Sequence, residues 1–250
     1  MNRNTMKQII YILSLVVLTA CAELTAVVDA YNASAPLSEN EVASGLREAL
    51  RVGTDSAAAR LGHTNGYYGD ELVKIMLPEE ADIIVKNASK IPGGDKVIED
   101  VIMHINRAAE DAAKDAGPVF WGAIKQMTIT DAFNILKGEN NAATQYLKQS
   151  TYDELFKLYN PKIQTSLDKE IAAGISPNMS WETLTSKWNK IADNPFGQMA
   201  GLNTVSVDLD AYLTEQALNG LFLKIAEEEA NIRQDPLARV NDILKRVFGS

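Results

Sequence analysis

The chain reads as all-α, a single helical-bundle-like domain of roughly nine helices with no sheet. Three observations carry that expectation. Apolar residues recur three and four apart over long windows, the period of a helix with one buried face. Helix punctuation recurs between those windows, with Ser, Asp or Asn caps, prolines at first turns and glycines after last turns. No window of four to eight residues alternates apolar and polar as a half-buried strand would, and no repeat of 20 to 50 residues is visible.

The folded body is expected to begin at Ser38, where Ser38-Glu39-Asn40-Glu41 has the form of a capping box. Behind it Val42, Leu46, Ala49, Leu50, Gly53, Ala57 and Leu61 form one helical stripe. A glycine-rich, tyrosine-bearing loop from Gly62 to Gly69 breaks the pattern. Leu77-Pro78-Glu79-Glu80 opens a short helix, with proline near the first turn and carboxylates at the positive end of the helix dipole. Ile91-Pro92-Gly93-Gly94 closes it. Asp95 then caps a long helix whose inward residues are Ile98, Val101, Ile105, Ala108, Ala112 and Ala116, an alanine-lined seam that lets a neighbour lie close.

Gly117-Pro118 ends that helix and starts the next, Val119 to Met127, where Phe120, Trp121 and Ile124 suit burial. Two brief helices follow, Thr130 to Lys137 ending at Gly138, and Asn141 to Gln149. Ser150-Thr151-Tyr152-Asp153-Glu154 starts another, which must kink or restart at Pro161. Gly174 to Ser180 reads as a loop, Trp181 to Asp193 as a helix and Asn194 to Ser206 as an irregular link. Asp208 to Arg233 reads as the longest helix, about 26 residues or 39 Å. Asp235-Pro236 launches a last amphipathic helix to Phe248.

Ahead of this body the sequence reads as an address. Arg3 and Lys7 precede an apolar run that ends in Leu18-Thr19-Ala20-Cys21, the layout of an export signal closed by a lipobox. In that pattern the Cys21 thiol is diacylated, the preceding peptide bond is cut, and the new amino terminus is acylated. The apolar run from Ile9 to Ala22 is about 14 residues, short of the roughly 20 that span a bilayer. Residues 1–20 are therefore expected to be a lipoprotein signal peptide, 21–37 a flexible tether rich in Ala, Thr, Ser and Asn, and 38–248 the helical domain. Ala22-Glu23-Leu24 lack the aspartate that resembles an inner-membrane retention signal, so the expected location is the outer membrane, facing the periplasm. Cys21 is the only cysteine, which excludes an intrachain disulfide.

Charge excludes one class of partner. The chain carries a formal net charge of −9. Loss of Arg3 and Lys7 with the signal leaves 22 basic against 33 acidic residues, net −11. No cluster of Lys and Arg suits a phosphate backbone, so nucleic acid is not expected as a partner. An acidic body also stays clear of anionic headgroups, which leaves the N-terminal lipid as the membrane contact.

The search for chemistry returns few candidates. No nucleophile elbow, P-loop, dinucleotide fingerprint or His-Glu-x-x-His is present, and no cofactor, metal site or catalytic residue is assigned. The two histidines, His63 and His104, rule out a histidine-rich metal centre. His104 lies four after Asp100 and can be oriented by it or bind a metal with it. Its neighbours Val101, Ile102, Met103 and Ile105 make a satisfied, half-buried histidine the simpler reading. Glu227-Glu228-Glu229 read as a solvated face, with Glu229 and Arg233 as a surface pair. Asp208-Leu209-Asp210 resembles a metal-binding Asp-x-Asp but more simply caps a helix. Arg107, Glu110, Asp111 and Lys114 form a charged stripe of solvated character.

Several ordered words resemble a known family. They run from Leu46-Arg47-Glu48-Ala49-Leu50 with Gly53-Thr54 and Asn106-Arg107-Ala108-Ala109-Glu110, through Gln126-Met127-Thr128, Asp131-Ala132, Ile135-Leu136, Gly138 and Ala142-Ala143-Thr144. They continue through Asp208-Leu209, Ala217-Leu218, Gly220-Leu221-Phe222, Glu228-Glu229, Ile232-Arg233 and Ala238-Arg239 to Val247-Phe248. The chain thereby resembles an uncharacterised bacterial exported family, domain of unknown function 4197. The resemblance covers nearly the whole mature chain and implies a helical exported protein with no catalytic residues to carry over.

Two functions follow from different classes. The favoured one is a membrane-tethered envelope lipoprotein whose helical domain is a binding or structural module, engaging another envelope protein or a small apolar ligand. The alternative is a carboxylate-based enzyme or metal-binding protein of the envelope, using Arg107, Glu110, Asp131 and Glu228 as ligand-binding residues amid apolar helices.

Overall fold

A computed structural model describes residues 38–82, 85, 94–170, 176–199, 201–235 and 245–247. Among these residues there are eight α-helices, one 3-10 turn and no strand. The helices are α1 (Glu39–Leu61), α2 (Gly94–Ala113), α3 (Ala116–Gln126), α4 (Ile129–Lys137), α5 (Ala142–Asp168), α6 (Pro177–Ala192), α7 (Pro195–Met199) and α8 (Leu209–Gln234). The expected signal peptide and tether with Cys21, the expected Ile91 to Gly93 stop and most of the expected last helix from Pro236 lie outside the described residues.

Helix α5 is the spine of the body and packs against α2, α3, α4, α6 and α8. Its length departs from the sequence expectation. In place of two helices and a break at Pro161, residues 142–168 form one continuous helix of 27 residues, with Pro161 inside it and exposed. The cause is a stripe repeating every four residues. Ala143, Leu147, Thr151, Leu155, Tyr159, Ile163 and Leu167 are all buried. Burying that stripe outweighs the roughly 3 kcal/mol that an interior proline costs. Helix α8, with 26 residues, is thus the second longest.

The other stripes behave as read except that Val42 and Ile98 are half-buried, and their bounds need local correction. In α1, Leu46, Ala49, Leu50, Gly53, Ala57 and Leu61 are buried, and the helix begins at Glu39, directly after Ser38. In α2, Val101, Ile105, Ala108 and Ala112 are buried. That helix stops at Ala113, not Ala116, and α3 starts at Ala116 with Pro118 in its first turn. A proline there lacks only an N–H that has no partner within the helix. Phe120 and Ile124 are buried, and Phe120 meets Phe222 edge to face at 6.0 Å. Trp121 does not follow them; it is 39% exposed, with the Lys125 ammonium 5.7 Å from its ring.

Three starts sit earlier or differ from the reading. Helix α4 opens with a capping box in which Thr128 accepts from the Asp131 N–H and Asp131 accepts from the Thr128 N–H. Helix α6 starts at Pro177, four residues before Trp181, because the Ser176 hydroxyl caps Met179 N–H and Pro177 takes the first position. The expected short helix after Pro78 opens with a 3-10 turn, Glu79–Ala81, and Asp82 and Val85 beyond it are helical. At the start of α8 the Asp208 carboxylate caps the Ala211 N–H, as its position implied.

Candidate functional site

The buried charged and amide groups sit where helices end and loops cross, and they define the site candidates. Glu110, 3% exposed, lies on the inward side of α2. Its Oε1 accepts the backbone N–H of Tyr67 and of Tyr68, each at 3.2 Å, and its Oε2 accepts from the Arg107 guanidinium. Arg107 also donates to Asn65 Oδ1 at 2.7 Å and lies 5.7 Å from the Tyr68 ring. The pair therefore clamps the 62–77 segment onto α2. It is not the solvated stripe that spacing suggested, although Asp111 and Lys114 of that stripe are exposed.

The same segment is fastened at three further points. Asn106 donates to Ile75 O and accepts from Ile75 N–H, both at 2.9 Å. The buried Tyr67 hydroxyl donates to Ala217 O at 2.8 Å, and burial holds that phenol in its protonated form. The Lys224 ammonium, itself buried, bridges Asp70 at 2.8 Å and Glu227 at 3.0 Å. Burial alone would pull the Lys224 pKa down, and its two carboxylate partners hold it above the usual lysine range.

A second carboxylate escaped the sequence reading. Glu229 is buried, not part of a solvated face. It accepts from the N–H of Ala143 at 3.1 Å, from the N–H of Thr144 at 2.8 Å and from the Thr144 hydroxyl at 2.7 Å. These are the first amides of α5, whose own N-cap residue, Asn141, makes no side-chain cap. Arg233 pairs with Glu229 at 2.9 Å and donates to Ile135 O in the last turn of α4. One ion pair from α8 thus satisfies the end of one helix and the start of the next, each charge on its favourable dipole end.

The remaining candidates are engaged elsewhere. Asp131 is the capping-box residue of α4, and its hydrogen bonds to Thr128 keep its carboxyl below the usual range. Glu228 pairs with Arg60 at 2.8 Å on the α1 side of α8. Of Arg107, Glu110, Asp131 and Glu228, the structure joins only the first two. His104 is half-buried and its Nδ1 donates to Asp100 O at 2.7 Å, the satisfied arrangement expected of it; the contact is to the backbone carbonyl, not the carboxylate. Among the described residues no group of three or more His, Cys, Asp or Glu is placed to hold a metal.

Two hollows are present beside these groups. The apolar crevice between α1, α5 and α8, lined by Leu46, Leu50, Gly53, Leu147 and Ile232 and closed by Glu229, has room for about 30 Å³. That is room for about two water molecules, at roughly 10–15 Å³ each. The groove between α2 and α5 is larger, about 420 Å³, and lined by His104, Arg107, Asp111, Lys162, Ser166 and Lys169 among others. Its charges are mostly paired. Lys162 bridges Asp111 at 3.0 Å and Asp115 at 2.8 Å, contacts that raise the Lys162 pKa and lower that of Asp111.

Comparison with known proteins agrees with the family resemblance. Residues 36–249 match the model of a family described as a protein of unknown function, DUF4197. No curated protein and no solved structure matches the chain.

Proposed function

We propose, from the premise that this chain belongs to the DUF4197 family of unknown function, that it is a membrane-tethered envelope lipoprotein whose helical body binds another envelope protein. The observation that carries this reading is the use of the buried charges. Glu110, Glu229 and Lys224 each hold a loop or a helix end through several direct partners. Removing any of them from those partners for chemistry would leave buried donors unpaired, at about 1–3 kcal/mol each. A protein partner is favoured over a small apolar ligand because the apolar crevice admits only about 30 Å³, against the several hundred that a ligand pocket occupies.

The membrane contact in this reading is the lipid on Cys21. Among the described residues no helix is long and apolar enough to cross a membrane. Acyl chains partition at about 0.8 kcal/mol per buried methylene, so three chains hold a domain durably where one does not. With residues 1–20 replaced by a cleavable secretory signal, Cys21→Ala is expected to move the protein from the membrane to the soluble fraction of a cell lysate with its melting temperature unchanged. Retention of the folded, signal-cleaved variant in the membrane fraction at the wild-type level would refute the lipid anchor.

A further inference from the structure

We infer that the tip formed by α7 is the docking element of this protein, and that Phe196 and Met199 insert into an apolar pocket on a partner protein. The inference rests on the binding reading above and adds the surface that performs it. Phe196 is 83% exposed and Met199 86%, the most exposed large apolar residues among those described. Three apart on one turn, they project on the same side of the helix.

The backbone beneath them is built, not loose. The Asn194 side chain caps the Gly197 N–H at 2.8 Å, and Pro195 occupies the first helical position. At the other end Gly201 N–H donates to Gln198 O and Leu202 N–H to Gly197 O, both at 3.0 Å, the two bonds of a Schellman stop. Gly201 supplies the left-handed φ of 72° that this stop requires. Asn189 of α6 then grips Val205 by both its N–H, at 2.7 Å, and its C=O, at 2.8 Å. Five helical residues capped at both ends and clamped to α6 present two large apolar side chains to solvent. Isolated exposed apolar residues are ordinary. A pair on a fixed mount is a plug whose backbone entropy is already lost before binding, which leaves only the two side chains to order.

Charge and position select the occupant. Residues 187–210 hold Lys187 and Lys190 against Asp193, Asp208 and Asp210, a net acidic stretch. Binding to an anionic membrane draws on net basic charge, so such a membrane is disfavoured and a pocket with a basic rim fits. The tip leads into the start of α8, the end of the body where Asn160 of α5 meets Thr214. Helix α1 enters at the other end, where Leu46 and Ala49 line one crevice with Ala143 and Ile232. The tip and the tethered end of the body are therefore separated along α8, whose 26 residues span about 39 Å.

The test is photo-crosslinking of the full-length protein in intact cells, with a benzophenone amino acid at position 196 and, as controls, at the exposed positions 55 and 137. The expected result is one identified protein adduct from position 196. With that protein purified, Phe196→Ser/Met199→Ser full-length lipoprotein in detergent is expected to bind at least tenfold more weakly at an unchanged melting temperature. Should the double variant lose stability, Met199→Gln supplies the same comparison, with at least a threefold loss expected. Equal binding by wild type and variant overturns the inference, as do adducts from 196 that are only phospholipid or a second copy of the chain. Adducts from 55 or 137 alone overturn the tip and leave the binding reading standing. No protein adduct from any position overturns both.

Discussion

Two irregular segments, 62–77 and 193–207, are held by the same device and put it to opposite use. In each, an asparagine on a helix grips one loop residue by both its N–H and its C=O, Asn106 with Ile75 and Asn189 with Val205. The first segment turns three of its large apolar side chains inward and leaves Leu72 and Met76 exposed. Tyr67, Val73 and Ile75 are buried, and Glu110 and Lys224 add charged fastenings. The second buries Val205 but holds Phe196 and Met199 in solvent. An ordered backbone alone therefore says nothing of role; what separates the two segments is where the apolar atoms point once the backbone is fixed.

Substitutions can break each half of that contrast. The largest effect belongs to Glu110→Ala, which strands two amides and the Arg107 guanidinium. A loss of about 3–5 kcal/mol is expected in urea unfolding. A loss under about 1 kcal/mol would mean that Tyr67 and its apolar neighbours hold the segment without the clamp. Next comes the asparagine pair. Asn106 is fully buried and Asn189 half-buried, so Asn106→Ala is expected to cost about 2–3 kcal/mol and Asn189→Ala about 1 kcal/mol. Hydrogen exchange should speed at the Ile75 amide in the first and at the Val205 amide in the second. Faster exchange at both amides in either variant would show one cooperative unit in place of two.

The smallest effect concerns pH. Asp210, just past the second segment, has a carboxyl pKa raised by burial and by its neighbours Asp208 and Asp168. A raised acid pKa means that the folded state binds the proton more tightly than the unfolded one, so the ionised group disfavours folding at neutral pH. That penalty disappears as the pH falls through the carboxylate range. Asp210→Asn is expected to raise the melting temperature slightly at pH 7 and to match the parent near pH 3. A gain that persists at pH 3 would trace to packing, not ionisation.

Much of this architecture was legible in the sequence, for reasons that also mark where legibility stopped. The seam Val101, Ile105, Ala108, Ala112 and the stripe Leu46 to Leu61 gave up their helices because a buried face repeats locally. The start of α6 is signalled by Ser176-Pro177, a cap-and-proline word identical in kind to Asp235-Pro236, but with Gly174 two residues before it the same stretch also reads as a loop. Helix α7 carries the full punctuation, Asn194, Pro195 and Gly201, but five residues are too few for a stripe to show. Glu229 was beyond local reading altogether. Its spacing to Arg233 is that of a surface pair, and only the arrival of α5 from 85 positions away makes it a cap. Gly220 is similar: a Cβ there would lie 2.9 Å from the Tyr67 ring, a close approach that no neighbouring residue in sequence announces.

The debt of α5 to Glu229 has a consequence for the order in which this body assembles. The amides that open the central helix stay bare until the final long helix docks, because the carboxylate that satisfies them lies 85 and 86 residues downstream. The same docking delivers Arg233 to the end of α4 and Ala217 to the Tyr67 hydroxyl. Contacts so distant in sequence close late. A nascent chain that stops short of residue 209 holds a spine with an open end and a loop fastened to α2 alone, without its Ala217 and Lys224 partners, so the closing move of folding belongs to α8.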